Sequence, residues 1–359
     1  MRFIFFTKTE WAEPPRMRHQ LAGLLADAGH EVIFFQRPIY PWQNSRPTES
    51  SHPRIHLYRH RQTLHHKLRL NNLLHYVNAA FEKQEILTYI GLLKIGRADV
   101  IVNFNYDYFF LREMFPEQKL ITIINDDFWS RAIAGYERPL KSALAMTCKT
   151  SDVVLAVSPP LAKQLETFCD PVLFYPWADI PYKAPASEAS RNTLLFWGYI
   201  NSKVDLDYVK HLVELIQRQR QDIKVLFVGP TTRASKRLVA LKDHPVLEYH
   251  PTARLDELPL DRVFAGFIPN RSGVTENDAI VLPNRALQLF ARGLPVAITG
   301  MPHFLQHPFV FRLGNGLNTD LATLREVQHS FFALQPAVEA FVQANSAEHR
   351  LQTFLTYAQ

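Results

Sequence analysis

Short apolar runs alternate with amphipathic segments along almost the whole chain. That alternation constrains the fold more than any other feature. Residues 2–6, 31–36, 99–104, 120–125 and 152–158 are each four to seven residues long and rich in Val, Ile, Phe and Leu. They read as strands buried on both faces, as in a parallel sheet. The segment 16–29 between the first two has helical spacing and ends at Gly29, a residue suited to a helix stop. Further helices are expected at 72–95 and 136–150. The pattern restarts after 192, with strands at 193–198, 224–229, 246–251, 264–270 and 295–300 and helices at 207–219 and 283–292. Strand–helix–strand repetition of this kind gives α/β layers. Between the halves, YPWADIPYKAPASEASRN (175–192) carries Pro176, Pro181 and Pro185 and reads as a linker. The expected organisation is therefore a first Rossmann-like domain over 1–178, a linker over 179–192 and a second Rossmann-like domain over 193–344. A last helix over 345–359 is expected to cross back to the first domain. Two such open sheets facing a central cleft would bind ligands at the carboxyl ends of their strands.

Composition narrows the setting. Among the 359 residues no apolar run is long enough for a membrane-spanning helix, and MRFIFFTKTEW reads as a first strand, not a signal peptide. Cys148 and Cys169 are too few for a disulfide framework, so a reducing cytoplasm is the expected compartment. The formal net charge of +6 favours anionic partners. The stretch 52–69, HPRIHLYRHRQTLHHKLR, contains Arg, Lys and His and no acid. It reads either as a solvated basic face or as a surface for anionic lipid headgroups or a lipid-linked acceptor. It contains no nucleic-acid motif, and no nucleic-acid partner is expected.

Several chemistries are excluded by absence of their motifs. A dinucleotide site needs a glycine-rich turn after a strand, yet TKTEWAEPPRMRH after the first strand has no glycine. No phosphate-binding P-loop and no zinc-type histidine spacing occur. Asp205-x-Asp207 resembles a metal-binding pair but opens a helix, where acids complement the dipole. No metal and no cofactor are expected.

The second half resembles the donor domain of GT-B glycosyltransferases. The resemblance is carried by LLFWGYINSKVDLDYVKHL, KVLFVGP, LEYHPTARLDELPLDRVFAGFIPNR and LPNRALQLFARGLPVAITG, in that order. WAEPPRMRHQLAGLLADAGHEV, ITIINDDFWSR, SDVVLAVSPPLAKQL and SAEHRLQTFL are similar to the branch that builds bacterial surface polysaccharides. Asn284-Arg285-x-x-Gln288 is closest to xanthan-type glucuronosyltransferases, where Lys and Gln at this helix start hold a UDP-sugar acid. Commoner retaining families have Glu where this chain has Gln288, and Arg then Lys where it has Tyr199 and Lys203. An amide cannot accept a ribose hydroxyl with a carboxylate's charge-assisted strength.

The resemblance implies a donor site of Gly198, Tyr199, Lys203, Arg233, Arg271, Glu276, Pro283, Asn284, Arg285 and Gln288. Physical reasoning supports its core: a helix amino end binds phosphate, and Arg285 adds a forked cation. The bland alternative makes Asn284 a helix cap and Arg285 a surface residue. The loop 270–282 is either a sugar-recognition lid or a plain surface loop. An inverting transfer also needs a base. Asp127 and then Asp126, directly after a strand, are the candidates, since repulsion and burial raise one of two adjacent carboxyls; capping of the next turn is their bland reading. Asp107, Glu10 and Trp11 would border the acceptor. The function expected is metal-independent transfer of a hexosyl or glucuronosyl group from a nucleotide sugar, a UDP-sugar first among them. The acceptor would be lipid-linked or a glycan, in bacterial surface-glycan synthesis at the inner face of the membrane. The alternatives are a GT-B nucleotide-sugar epimerase and a non-catalytic nucleotide-sugar or glycan binder.

Overall fold

The computed structural model describes residues 1–13, 16–43, 49–64, 71–92, 96–128, 137–178, 180–186, 190–231, 238 and 241–359, without the side chain of Glu276. The chain forms two compact units, Met1–Pro176 with Glu348–Gln359, and Trp177–Ala347. Each is built on one parallel sheet.

In the first unit the strands are β1 (Arg2–Phe6), β2 (Glu31–Phe35), β3 (Ile55–Tyr58), β4 (Val100–Asn103), β5 (Lys119–Ile124), β6 (Val153–Ala156) and β7 (Val172–Leu173). Their order across the sheet is β3-β2-β1-β4-β5-β6-β7, all parallel. The second unit repeats the scheme with β8 (Thr193–Trp197), β9 (Lys224–Val228), β10 (Leu247–His250), β11 (Val263–Pro269), β12 (Val296–Thr299) and β13 (Val310–Arg312), ordered β10-β9-β8-β11-β12-β13. In both sheets the order reverses beside the first strand, between β1 and β4 and between β8 and β11. The loops leaving those two strands diverge to opposite sides, and room for a ligand opens between them.

The central strands bury both faces, which is why their sequences are continuous apolar runs. Phe3, Phe5, Phe6, Phe34 and Phe35 are buried, and Phe6 stacks on Phe35 across neighbouring strands at 4.9 Å. Phe196 and Phe227 repeat that stack between β8 and β9 at 4.6 Å. Met17–Asp27 and Leu206–Arg218 are the helices that follow the first strand of each unit, each burying an apolar stripe. Three short strands lie outside the sequence expectation: β3, β7 and β13. β3 lies inside the basic stretch 52–69 and buries only Ile55 fully, so its residues read as a polar run. At two and three residues, β7 and β13 are too short for any periodicity to register.

The expected linker is laid along the second unit. The Lys183 amide donates to Ala291 O, and the buried Arg191 donates to the carbonyls of Leu260 and Val263 while its guanidinium lies over Phe331 at 4.3 Å. The last helix, Ala347–Ala358, inserts Phe354 between Phe3 and Phe174 of the first unit, with ring centroids at 6.2 and 6.1 Å. Phe354 is fully buried. Phe354→Ala is expected to destabilise the first unit by about 3–5 kcal/mol, measured as a lower urea midpoint. An unchanged midpoint would mean that the helix contributes nothing to this core.

Candidate functional site

In the second unit the strands at the order reversal end in residues that leave backbone bare. Gly198 follows β8, Gly229 follows β9, Asn270 follows β11 and Gly300 follows β12. Gly229 has φ +147°, and a Cβ there would lie 1.9 Å from Gly198 O. Gly300 has φ +63°, and a Cβ would lie 2.2 Å from Asn270 O. No side chain fits at either position, so the strand ends pack backbone against backbone. Gly198 in turn faces Arg285: a Cβ on it would sit 3.8 Å from that guanidinium.

Arg285 lies in the first turn of the helix Asn284–Ala291. The helix is held by Ala286, Leu287, Leu289, Phe290 and Ala291, all buried, so its amino end is fixed against the sheet. Leu289 comes close because Gly266 of β11 has no side chain; a Cβ there would meet Leu289 Cδ1 at 2.5 Å. The N-cap is Pro283, in extended conformation and with no side-chain cap bond. Asn284 is therefore the first helical residue, exposed, and not the cap. Gln288 is half-buried one turn along.

Arg285 is half-buried, donates to Asn270 Oδ1 at 3.0 Å and lies over the Phe196 ring at 5.5 Å. Among the described residues no carboxylate pairs with it. Burial alone pushes its guanidinium down to about 10. A cation partly removed from water, with only neutral partners, carries an uncompensated desolvation cost that an anion would relieve. Asn270 is buried; its carbonyl accepts from Thr299 Oγ1 at 2.7 Å, which leaves the side-chain amide oxygen aimed at Arg285.

The other expected donor residues divide around this core. Tyr199 is 60% exposed beside Gly198. Lys203 is half-buried, and its carbonyl accepts the Arg271 amide at 2.8 Å. The Arg271 guanidinium pairs with Asp207 at 3.5 Å, so its charge is matched where that of Arg285 is not. Asp205 accepts from the Tyr208 amide at 3.1 Å as the cap of the helix Leu206–Arg218, and Asp207 is the acid beside Arg271. Glu276 lies in the short turn Thr275–Asn277, its side chain outside the described residues, and Arg233 also lies outside them. The loop 270–282 is pinned from within: buried Asn277 donates to Arg271 O at 3.2 Å and to Gly300 O at 3.3 Å.

The first unit places its candidates at the corresponding strand ends. Asp126 and Asp127 follow β5 and are half-buried. Asp126 lies 3.8 Å from Arg18. Arg18 is buried, donates to Thr9 Oγ1 at 2.6 Å, and is pushed down to about 10 by burial, with Asp126 opposing that shift. Asp107 is buried. Lys8 reaches it at 3.6 Å and Glu82 at 3.0 Å, and His60 lies 3.4 Å from the same Glu82. Asp107 thus belongs to an interior ionic network. Glu10 pairs with Arg59, and Trp11 packs edge-on against Phe34 at 5.1 Å with its amide on Gln36 Oε1. His19 accepts the Arg16 amide at Nδ1 and lies 3.1 Å from Glu10 O through Nε2, which fits a neutral ring protonated at Nε2.

Asn270 and Gly300 are candidate-site residues that the sequence reading did not single out. Their signal was present as a recurrence: LLFWG, LFVG, FIPN and AITG all end a strand on Gly or Asn.

No protein-family model matches the chain, and no curated protein matches it by sequence. Solved structures do. The chain is similar to WaaG, a glycosyltransferase involved in lipopolysaccharide biosynthesis, at 13% identity and TM-score 0.63, covering 98% of each chain. It is similar to the E. coli trehalose-6-phosphate structure bound with UDP-2-fluoro glucose at 12% identity and TM-score 0.65, covering 100% of this chain and 99% of that one. It is also similar to Anabaena Alr3699/HepE in complex with UDP, at 10% identity and TM-score 0.67, covering 99% and 98%.

Two predictions follow from the geometry. Gly229→Ala drives a methyl group into Gly198 O and is expected to cost about 2–3 kcal/mol, seen as a lower melting temperature; an unaltered melt would contradict the backbone packing. The second concerns pH. Burial lowers the pKa of both His19 and His60 from the ordinary value of about 6.5. A neutral histidine in the fold competes with a protonated one in the unfolded chain, so stability is full above 6.5 and falls as pH drops below it. The urea midpoint should decrease between pH 7.5 and 5.5, and His19→Gln should shallow that dependence.

With two Rossmann-like units whose sheets share one strand order, and whole-chain likeness to these structures, the chain has the GT-B fold.

Proposed function

We propose that this protein is a glycosyltransferase that takes a sugar from a nucleotide-sugar donor, a UDP-sugar first among them. The observation that carries the reading is Arg285. It is a half-buried cation with no acid partner among the described residues, at a helix amino end, above strand ends stripped to backbone. Neutral donors and one fixed cation suit a diphosphate, whose charge grows as the glycosidic bond breaks. Similar structures bound to UDP and to UDP-2-fluoro glucose support the choice of nucleotide.

In the proposed transfer the acceptor hydroxyl oxygen bonds to the anomeric carbon and the bond to the diphosphate breaks. The electron pair leaves with the nucleoside diphosphate, stabilised by Arg285 and the helix amides. In an inverting course Asp127 takes the hydroxyl proton. Asp126, 3.8 Å from Arg18, is the second choice. Gln288, one turn into the helix, would contact the ribose or the sugar. Donor residues Tyr199, Lys203 and Arg271 would border it. The acceptor proposed is a lipid-linked or polysaccharide glycan of the bacterial surface, met at an anionic membrane on the cytoplasmic side, with no metal required.

Thermal-shift and calorimetric titration with UDP, UDP-glucose and UDP-glucuronic acid test the donor site. Binding of at least one is expected. Arg285→Met should weaken it by about 1.5–3 kcal/mol, as for a lost charge-assisted hydrogen bond, roughly 10- to 100-fold in Kd. Asn270→Asp, which hands Arg285 a carboxylate, should weaken diphosphate binding as well while leaving uridine unaffected. A wild-type protein that no nucleotide sugar stabilises would overturn the reading. Asp127→Asn should abolish transfer with donor binding intact, and retained turnover would move the base elsewhere.

A further inference from the structure

The second unit has a cavity on the edge of its sheet opposite the Arg285 site. Strands β8 and β11 begin on that edge, and the helix that carries Arg285 in its first turn finishes there. The cavity measures about 240 Å³. Lys183, Pro185 and Ala186 of the linker line one side of it, and Leu258 and Leu260, before β11, line another. Arg292, the residue after the helix, lines it as well.

Both sides are held in place. Arg191 donates to Ala186 O at 3.0 Å on one and to Leu260 O at 2.8 Å on the other. The Lys183 amide donates to Ala291 O at 2.8 Å. Pro185 packs on Gly293, where a Cβ would lie 2.7 Å from Pro185 Cδ. Gln335 donates to Gly293 O at 2.9 Å and accepts from the Tyr182 hydroxyl at 3.1 Å. These bonds preform the cavity, as is usual for a small-molecule site. Its volume falls short of the roughly 300–1,000 Å³ of pockets for drug-sized ligands, so it suits a compact molecule.

The charges lining the cavity do not balance. Its acids are Asp256 and Asp261, and each has a cation elsewhere. Asp256 accepts from Arg254 at 3.3 Å. Burial lowers the pKa of Arg191, and Asp261 opposes that shift. Arg191 is itself spent on backbone carbonyls. Lys183, exposed, and Arg292, half-buried, are left over. The Arg292 charge reaches Asp256 without an ion pair between them. Among the described residues no carboxylate pairs with Lys183 or Arg292, and Arg292 Nε is buried with no hydrogen-bond partner. A cation at a helix carboxyl end answers the dipole, but that role needs neither a cavity nor a buried Nε. A donor taken from water without a partner is costly, and an anion in the cavity would relieve that cost.

We propose that this cavity binds a compact organic anion, a carboxylate or phosphate monoester on a short carbon body. Arg292 and Lys183 hold the charged group, while Leu258, Leu260 and Pro185 cover the carbon. The site is separate from the donor site and does not depend on the transferase reading.

The test is calorimetric titration of the full chain with glycerol 3-phosphate and with succinate, against glycerol and against sodium chloride at matched ionic strength. At least one of the two anions is expected to bind saturably where glycerol and chloride do not, and the one that binds identifies the charged group. Arg292→Gln should weaken that binding roughly tenfold or more, as for a lost charge-assisted hydrogen bond. Lys183→Gln, at an exposed position that leaves the melting temperature unchanged, should weaken it several-fold. Arg285→Met should leave it intact. Three outcomes overturn the proposal: neither anion binds the wild type, binding is undiminished in both the Arg292 and Lys183 variants, or binding is lost in Arg285→Met. The last would put the anion at the other end of the helix.

Discussion

Parallel pairing with an order reversal beside the first strand is the constraint on which the second unit's site depends. All strands of that sheet point the same way, so their carboxyl ends share one edge with the amino end of the helix Asn284–Ala291. At β8 and β11 the connections turn away to opposite sides, and the edge opens there. Backbone must then come close to backbone, and Gly229 and Gly300 meet that demand with positive φ and no Cβ. The same closeness lets buried Asn270 reach Arg285. Fold and site are thus one arrangement, since a side chain at either glycine would push apart the strand ends that frame the guanidinium.

Charge is handled differently in the two units. In the first, the cations at the strand ends have acids beside them: Arg18 with Asp126, Lys8 with Glu82 and Asp107, Arg59 with Glu10. Such pairs repay much of their desolvation internally and call for no ligand. In the second unit Arg271 follows that rule through Asp207, whereas among the described residues no acid lies beside Arg285. Its neighbours are an amide oxygen and an aromatic face, which orient a guanidinium without neutralising it. The contrast between two arginines on one edge is more informative than either alone.

Fold class was legible because a buried parallel strand is an uninterrupted apolar run, and β1, β2, β8, β9 and β11 are all of that kind. The stripe of Leu287, Phe290, Ala291 and Leu294 was legible for the same reason, and all four are buried. What escaped was whatever depends on partners far along the chain. Arg271 and Arg285 look equivalent in sequence, and only Asp207, 64 positions from Arg271, distinguishes them. Asp107 reads as a strand-end carboxylate open to an acceptor until Lys8, on another strand's exit, is seen to hold it inside. For Asn270 the sequence showed only a place at a strand end, because its guanidinium partner, Arg285, is brought to it by the fold.

The helix Asn72–Leu92 and the basic stretch before it invert the order in which sequence draws attention to them. A cluster of Arg and His without acids stands out on inspection, yet in the fold Asp27, Glu31 and Glu10 come from other segments to lie beside His52, His56 and Arg59, while 65–69 lie outside the described residues. The helix stands out far less. Periodicity reveals a helix face by the contrast between an apolar inner side and a polar outer one, and here the buried side holds His75, Asn78 and Glu82, so that contrast is lost. One side is explained by the core, where Ala79 and Ile86 are buried. On the other side Tyr76 packs edge-on against Phe109 at 5.5 Å, within the same unit. The polar side chains of the buried side are met by residues from other segments, with Lys8 at 3.0 Å and His60 at 3.4 Å from Glu82, and no local pattern announces that pairing.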